Sequence, residues 1–256
     1  MSLWTAPDGF VLVKLPTGPA WFRPEIQKPV LTFWKRTEGA LPLGRVANRH
    51  PLSRRFSGRG QVISAPFPGA GTLLVRPCVH GGWWGHLARD LYFGPDRALR
   101  EIRCAASLEK MGLPTPRIQA VLFYPTGPFF RLEVVSTFIS NSRDLTSLLS
   151  TRPPHGQRSR IFSAVRRLLT DCHHHGVHHP DLNARNILLS PGDTSGWKAW
   201  LLDVDAVRFR EPGSPAVDTA NRNRLLRSLL KLARHGDLGW SESEVSRLWT
   251  ELFPRK

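Results

Sequence analysis

Three polar residues, Asp181, Asn186 and Asp203, have the types and the spacing that phosphoryl transfer requires. A carboxylate can orient an attacking hydroxyl and accept its proton, which is the role we predict for Asp181. An amide oxygen and a second carboxylate can hold magnesium against phosphate oxygens, and Asn186 and Asp203 are the candidates. Asp205 is a weaker candidate for the same metal. These residues predict a site at which a hydroxyl group attacks a magnesium-bound phosphate.

The segment around these residues resembles a protein-kinase catalytic loop. His179 precedes Asp181 by two positions, Asn186 follows it by five, and Asp203 comes after two apolar stretches. The protein-kinase pattern has the same order, H-R-D-L-x-x-x-N followed further on by D-F-G. The Asp and Asn side chains could instead merely close turns, since they hydrogen-bond their own backbone. Asp203 and Asp205, however, follow an apolar run, where two carboxylates need a cation to neutralise them.

The protein-kinase plan also requires a glycine-containing loop over the phosphates and a cation paired with a helix glutamate. Gly58, Arg59 and Gly60 form the candidate loop, although an ordinary hairpin turn explains a G-x-G equally well. Arg76, at the end of an apolar strand, is the candidate cation, and Glu101 is its candidate partner. The plainer interpretation is a surface arginine and a solvated glutamate. Arginine in place of lysine alters any contact with a nucleotide, because guanidinium is larger and forked.

The elements that must position these residues form a β-rich part and an α-rich part. A hairpin over 58–76, a helix over 94–111 and strands over 119–124 and 129–138 make up the first part. A polar hinge follows at 140–142, and after it the apolar residues recur with helical spacing. Helices are predicted there over 144–150, 157–174, 219–234 and 241–252.

This order predicts an α+β, bilobal protein-kinase-like fold. We expect a small β-rich N-lobe with one helix and a reduced α-rich C-lobe. The predicted boundaries are an N-terminal extension over 1–55, a nucleotide-binding N-lobe over 56–139, and a C-lobe over 140–256 that holds the catalytic loop and binds the acceptor. Within the extension only two short strands are expected, over 9–15 and 20–22.

The composition predicts phosphate-bearing partners. Lys and Arg number 36 against 20 Asp and Glu, which gives a formal net charge of +16. Nucleic acid, anionic lipid and a phosphorylated glycolipid would all be attracted, and charge alone cannot choose among them. Nucleic acid is the weakest of these, because the basic residues are dispersed and no recognition-helix or zinc-finger pattern is present.

The cysteines and the apolar runs indicate a protein of the reducing cytoplasm. Cys78, Cys104 and Cys172 are widely spaced, which favours free thiols over a disulfide framework. Zinc at Cys172 with the histidines at 173–175 and 178–179 is an alternative, but the ligand spacing typical of zinc sites is missing. We favour histidines that complement a helix C-terminus. No signal peptide and no membrane-spanning run are expected, so the protein would be soluble or peripheral.

The chain resembles the bacterial lipopolysaccharide core kinases, and within them the 3-deoxy-D-manno-octulosonic acid (Kdo) kinases. The stretches that carry this resemblance are 56–60, 75–76 with 80–82, 100–101 with 111–116, and 181–188 through 202–205, and further matches are Asn221, Arg224, Leu225, Arg227 and Ser228. Two residues depart from the family pattern: Pro180 replaces a polar residue, and Val204 replaces an aromatic one. Neither departure removes a catalytic group.

The resemblance implies ATP- and Mg²⁺-dependent phosphorylation of a hydroxyl group on the Kdo sugar of lipid A or its precursor. It implies a peripheral protein at the cytoplasmic face of the inner membrane, with an anionic membrane surface as a further partner. It also implies that His179 braces the loop without being catalytic. No nucleic-acid partner is expected, and the oligomeric state is left open.

Other function classes remain open from the residues alone. A heptose or an aminoglycoside phosphotransferase would use Asp181, Asn186 and Asp203 in the same roles, and only its acceptor pocket would differ. A pseudokinase is disfavoured because all three residues are intact.

Overall fold

The structure of the chain is a computed structural model. It describes residues 5–35, 41–56, 61–79, 90–192 and 196–253. The contacts between residues divide the chain into two compact units. The first is Met1–Arg103 with Arg117–Phe138, and the second is Cys104–Pro116 with Ile139–Lys256. The predicted α+β class is confirmed, since strands predominate in the first unit and helices in the second.

An antiparallel sheet of seven strands forms the first unit. The strands are β1 (Val11–Leu15), β2 (Gly18–Phe22), β3 (Arg54–Phe56), β4 (Val62–Phe67), β5 (Gly71–Pro77), β6 (Ile118–Thr126) and β7 (Phe129–Thr137). Their order across the sheet is β1-β2-β6-β7-β5-β4-β3. β1 and β2 come from the segment before residue 56, and β2 pairs with β6. The segment that we predicted as an N-terminal extension therefore supplies one edge of the sheet.

Two helices cover one face of this sheet. They are α1 (Pro24–Lys35) and α2 (Leu43–Asn48), and their apolar residues share a buried core with strand residues such as Val75. A third helix, α3 (Asp96–Lys110), matches the helix predicted over 94–111. Since successive strand residues point to opposite faces, Arg76 lies on the face of the sheet away from α1 and α2.

Helices build most of the second unit. They are α4 (Leu145–Leu149), α5 (His155–His174), α6 (Pro215–Arg234) and α7 (Glu242–Leu252). The apolar face of α5, with Ile161, Val165, Leu168 and Leu169, is buried as the spacing predicts. Between α5 and α6 lie short strands, and β8 precedes α4. The strands are β8 (Arg143–Asp144), β9 (Val177–His178), β10 (Ile187–Pro191), β11 (Trp197–Leu201) and β12 (Arg208–Phe209).

A close backbone approach fixes the path of the chain after α5. Gly176 has φ +66°, and a Cβ atom there would collide with the carbonyl oxygen of Arg210. The amide of Arg210 donates to the carbonyl of Gly176 at 2.8 Å. This contact continues the pairing of β9 with β12. Only glycine fits this approach, because it has no side chain and tolerates positive φ.

None of the helices in the described part of the chain is both long and apolar enough to cross a membrane.

Candidate active site

The predicted catalytic loop is anchored at its start by His179. This residue is 1% exposed, and its Nε2 lies 3.1 Å from the carbonyl oxygen of Leu202. Its backbone amide donates to Oδ1 of Asn221 at 3.0 Å, and Nδ2 of Asn221 donates to the carbonyl of Val177 at 2.8 Å. His179 thus ties the loop to the backbone just before Asp203.

Side-chain amides stabilise the loop around Asp181. Asn183 and Asn186 each donate from Nδ2 to the carbonyl oxygen of Asp181, both at 3.0 Å. Oδ1 of Asn183 accepts from the backbone amides of Arg185 and Asn186. The amide nitrogen of Asn186 is therefore engaged with the loop backbone. Its Oδ1 is the atom that remains for a cation.

Asp203 has an unusual backbone conformation. It lies directly after Leu202 with φ 56° and ψ 46°, in the left-handed region, and begins a short 3-10 turn over Val204–Ala206. Such a conformation costs about 1–3 kcal/mol outside glycine and recurs at functional sites. Its carboxylate makes no hydrogen bond or ion pair among the residues that the structure describes. The amide of Leu202 donates to the carbonyl of Asn186 at 2.9 Å, so Asp203 and Asn186 lie at the same end of the β10–β11 hairpin.

The carboxylate of Asp181 is bound by an arginine from α6. Nη2 of Arg224 donates to Oδ1 of Asp181 at 2.8 Å, and each side chain is 43% exposed. Four residues further along α6, Oγ of Ser228 accepts from the amide of Ala184 at 3.1 Å. Sequence reasoning assigned no role to Arg224, Asn221 or Ser228. The feature of the sequence that could have revealed them is their spacing, which places the three polar side chains on one face of a predicted helix.

In the first unit the structure brings Arg76 and Glu101 together. They form an ion pair, in which the Glu101 side chain is 6% exposed and that of Arg76 is 25% exposed. The plainer interpretation of a solvated glutamate is therefore wrong. Oε2 of Glu101 is buried and accepts no hydrogen bond from the parts of the chain that are described.

The predicted phosphate loop cannot be placed in the same way. Gly58, Arg59 and Gly60 lie outside the described residues, as does the stretch 80–82 of the family resemblance. The strands on either side of 57–60 are described, and Phe56 of β3 pairs with Val62 of β4.

A second carboxylate of the first unit, that of Glu133, is half-buried and has no cation beside it among the residues that the structure describes. Glu133 accepts from the hydroxyl of Tyr124 at 2.6 Å and from the amide of Gly44 at 3.2 Å. Burial raises the pKa of Glu133, and these donors only partly oppose the shift. Burial and the nearby carboxylate raise the pKa of Tyr124 well above 10.

Cys172 is buried, and two of the histidines beside it contact backbone carbonyl oxygens. Burial, assisted by the charge of Asp171, raises the pKa of the Cys172 thiol to about 12, which keeps it protonated. Nδ1 of His173 lies 3.2 Å from the carbonyl oxygen of Ser214, and Nδ1 of His175 lies 2.9 Å from that of Asp171. Over the described ranges, no group of three or more His, Cys, Asp or Glu side chains is arranged to hold a metal.

A basic strand lies close to the loop in sequence and in structure. Arg208, Phe209 and Arg210 are all exposed, and the Phe209 ring is 40% exposed. Arg208 pairs with His178, which precedes Asp181 by three residues. Burial lowers the pKa of His178, and the charges of Arg210 and Arg208 lower it further. The positive field of both arginines therefore reaches the strand that leads into the loop.

Comparison with known proteins identifies close resemblances over most of the chain. The model of the lipopolysaccharide kinase (Kdo/WaaP) family matches residues 56–251. A 3-deoxy-D-manno-octulosonic acid kinase of Vibrio parahaemolyticus is 31% identical over 179 residues, which cover 68% of this chain and 71% of that protein. One of Stenotrophomonas maltophilia is 32% identical over 202 residues, which cover 77% and 76%. Among solved structures, a chain of WaaP in complex with acyl carrier protein matches 86% of this chain and 96% of its own length, with 17% identity and a TM-score of 0.46.

Proposed function

The chain belongs to the lipopolysaccharide kinase (Kdo/WaaP) family, and on that premise we propose that it transfers the terminal phosphate of ATP to a hydroxyl group of Kdo on lipid A or its precursor. The chain is a lipopolysaccharide core kinase, and the Kdo hydroxyl is the proposed acceptor. The observation that carries the proposal is the grouping of Asp181, Asn186 and Asp203 by the hydrogen bonds of one loop and one hairpin.

Asp181 is the proposed catalytic base. Its carboxylate would orient the acceptor hydroxyl and take its proton while the hydroxyl oxygen attacks the terminal phosphorus of ATP. One O–P bond forms, the bond from that phosphorus to the bridging oxygen breaks, and ADP leaves with the bridging oxygen. The loop is suited to this role because Asn183 and Asn186 hold the Asp181 backbone while its side chain stays 43% exposed.

Asn186 and Asp203 fit a bound Mg²⁺. Magnesium prefers oxygen ligands. The carboxylate of Asp203 has no partner within the described ranges, and the amide nitrogen of Asn186 is bound to the loop backbone. The left-handed backbone at Asp203 supports a functional constraint at this position. When bound, the metal would neutralise charge on the phosphate oxygens. Asp205, inside the following turn, remains the weaker candidate.

Arg76, with Gly58, Arg59 and Gly60, is proposed to bind the nucleotide. The ion pair with Glu101 supports this role, because it corresponds to the pair of cation and helix glutamate that protein kinases require. Glu101 would orient Arg76 rather than contact the nucleotide, since Glu101 is buried. A forked guanidinium can donate two parallel hydrogen bonds to two phosphate oxygens, whereas a lysine ammonium acts as a point charge.

We further infer that the protein associates peripherally with the anionic cytoplasmic face of the inner membrane. Arg208 and Arg210 support this inference, because two exposed arginines flank the exposed ring of Phe209. Each basic side chain near an anionic surface contributes about 1 kcal/mol. The same arginines could bind the acidic groups of a glycolipid acceptor that is held in that surface.

The test is acceptor selectivity. The purified protein is incubated with labelled ATP, Mg²⁺ and one acceptor: Kdo-lipid A, lipid A without Kdo, a heptose or an aminoglycoside. We expect label to enter Kdo-lipid A alone, and we expect D181N, the matched control, to transfer little. Faster labelling of the heptose or the aminoglycoside than of Kdo-lipid A would overturn the proposed acceptor. The protein would still be a kinase.

A further inference from the structure

One face of α6 holds the catalytic loop at three separate points. Asn221, Arg224 and Ser228 are three and then four residues apart, a spacing that places them on one side of a helix. Asn221 binds the amide of His179, and Ser228 binds the amide of Ala184. Arg224 binds the carboxylate of Asp181, which lies between these two anchors in the sequence.

The three contacts differ in what they hold. Asn221 and Ser228 bind backbone amides, so they determine where the loop lies. Arg224 binds a side-chain oxygen, so it determines how the carboxylate is turned. Because Oδ1 of Asp181 accepts from Arg224 at 2.8 Å, this contact restrains rotation of the carboxylate about its last bond.

We propose that this face of α6 is the positioning element of the catalytic loop, and that Arg224 is a positioning residue that orients Asp181 toward the acceptor hydroxyl. The proposal rests on the proposed function in one respect, namely that Asp181 is the base. Arg224 holds Oδ1 and thereby sets the angle at which the carboxylate would meet the hydroxyl. The loop backbone is held independently of this contact by Asn221 and Ser228.

The exposure of the pair supports a positioning role over a stabilising one. Both side chains are 43% exposed, and ion pairs at such exposure contribute about 0–1 kcal/mol to folding. Geometry has a much larger effect on rate, since a displacement of about 1 Å at a catalytic group can lower turnover about 100-fold. Loss of Arg224 should therefore reduce catalysis far more than it reduces stability.

The main experiment compares R224M, R224K and R227M. Arg227 is on the same helix, is exposed, and bonds to the carbonyl of Asn223, so R227M removes an equal charge without touching the loop. We expect R224M to lower kcat about 10- to 100-fold with KM for ATP changed less than about twofold. R224K should recover part of the loss and R227M should show none. A wild-type kcat in R224M would overturn the proposal.

A double-mutant cycle tests whether Arg224 acts through Asp181. In D181N the neutral amide no longer forms an ion pair, so adding R224M should change the residual rate less than about threefold. Added methylguanidinium should partly restore the turnover of the single variant R224A. It should leave the turnover of the double variant D181N/R224A unchanged. An equal fold-loss from R224M in both backgrounds would show that Arg224 acts elsewhere, and would overturn the proposal.

Slow hydrolysis of ATP separates this proposal from the proposed acceptor. Water then replaces the acceptor hydroxyl, and the same variants are compared by release of phosphate from Mg²⁺-ATP. If wild type transfers nothing to Kdo-lipid A but R224M reduces hydrolysis and R227M does not, the acceptor is wrong and the role of Arg224 stands. If transfer to Kdo-lipid A is normal in R224M, the role of Arg224 is wrong and the acceptor stands.

Discussion

Each unit of the molecule contains one arginine–carboxylate pair that matters to the proposed chemistry, and the two pairs lie in opposite environments. In the first unit, Glu101 is buried against Arg76. In the second unit, Asp181 and Arg224 are both 43% exposed. A buried charge costs several kcal/mol when its partner is removed, whereas an exposed pair contributes little to folding.

The difference separates two uses of the same chemical pair. Breaking the Arg76–Glu101 pair would leave a buried carboxylate without its cation, so we expect the pair to stay intact and to hold Arg76 rigidly at the proposed nucleotide site. The Asp181–Arg224 pair is exposed and contributes little to folding, so its loss should affect the proposed catalysis more than stability. Variants of the two pairs should therefore separate effects on stability from effects on catalysis.

Removal of the carboxylate at position 181 should have the largest effect on turnover. D181N retains size and hydrogen bonding but cannot accept the proton, so kcat should fall about 100- to 10,000-fold. Its unfolding free energy should stay within about 0.5 kcal/mol of wild type, because the residue is partly exposed. Labelled-phosphate transfer and urea denaturation measure the two quantities. Retention of more than about a tenth of the wild-type rate would remove Asp181 from its role.

Removal of Asp203 should abolish the stabilisation by Mg²⁺ with ATP. A ligand present at about 100 times its Kd stabilises the folded state by about 2.7 kcal/mol, which a thermal melt detects. D203A should lose most of the magnesium-dependent part of this shift, and D205A, the matched control, should lose less. A full shift in D203A would show that the metal is held elsewhere.

Removal of Arg76 should destabilise the fold where removal of Arg224 does not. R76M leaves the carboxylate of Glu101 buried without its cation, so we expect a loss of about 2–4 kcal/mol in urea denaturation. R224M should lose less than about 1 kcal/mol. Adding E101Q to R76M should recover part of the loss, because the uncompensated charge is then gone. Equal losses in R76M and R224M would remove the contrast between the pairs.

The basic strand of the second unit should contribute to binding of anionic vesicles. Replacing Arg208 and Arg210 by Ala should weaken binding by about 2 kcal/mol, or about 30-fold, in co-sedimentation with phosphatidylglycerol vesicles. The control variant has Ala in place of Arg166 and Arg227, two exposed helix residues, so both double variants have the same net charge. Binding should fall steeply between 0.1 and 1 M salt, as the screening length shortens from about 10 to about 3 Å. Undiminished binding to neutral vesicles at high salt would contradict the electrostatic account.

The smallest expected effect concerns Glu133, whose half-buried carboxyl group has no cation beside it in the described part of the chain. The folded-state pKa of Glu133 is raised, so the native state holds its proton at a pH where the unfolded chain has lost it. Stability should therefore be greatest below the unfolded pKa, about 4.3, and should fall as pH rises through the folded pKa. E133Q cannot ionise and should lack this contribution. If the unfolding free energies of wild type and E133Q in urea depend on pH in the same way, Glu133 does not make this contribution.

The sequence predicts the parts of this fold and site that have local signals. Helices α3, α5, α6 and α7 have clear apolar spacing, and each lies close to its predicted range. The loop around Asp181 could be found because its residue types follow each other at fixed offsets. The pairing of Arg76 with Glu101 could be proposed only because a known plan requires such a pair.

The parts that were missed depend on contacts distant in sequence. Helices α1 and α2 lie in a stretch rich in Pro, Gly and Trp, and Pro29 within α1 weakens its helical signal. Their helical faces become evident only against the strands that they cover. Arg224 is 43 residues from Asp181, so no local pattern connects them. The spacing of Asn221, Arg224 and Ser228 was visible, but the surface that this face of α6 contacts was not.

The glycine at position 176 has a consequence for the interpretation of natural variants. Gly176 has no side chain and no proposed role in catalysis. Any side chain at this position would nevertheless collide with the backbone of Arg210 and push β9 and β12 apart. One of these strands leads into the catalytic loop and the other carries the exposed arginines. A variant such as G176V would keep every catalytic residue and every motif, and a sequence-based survey would score it as an active enzyme. We expect such an allele to behave genetically as a null.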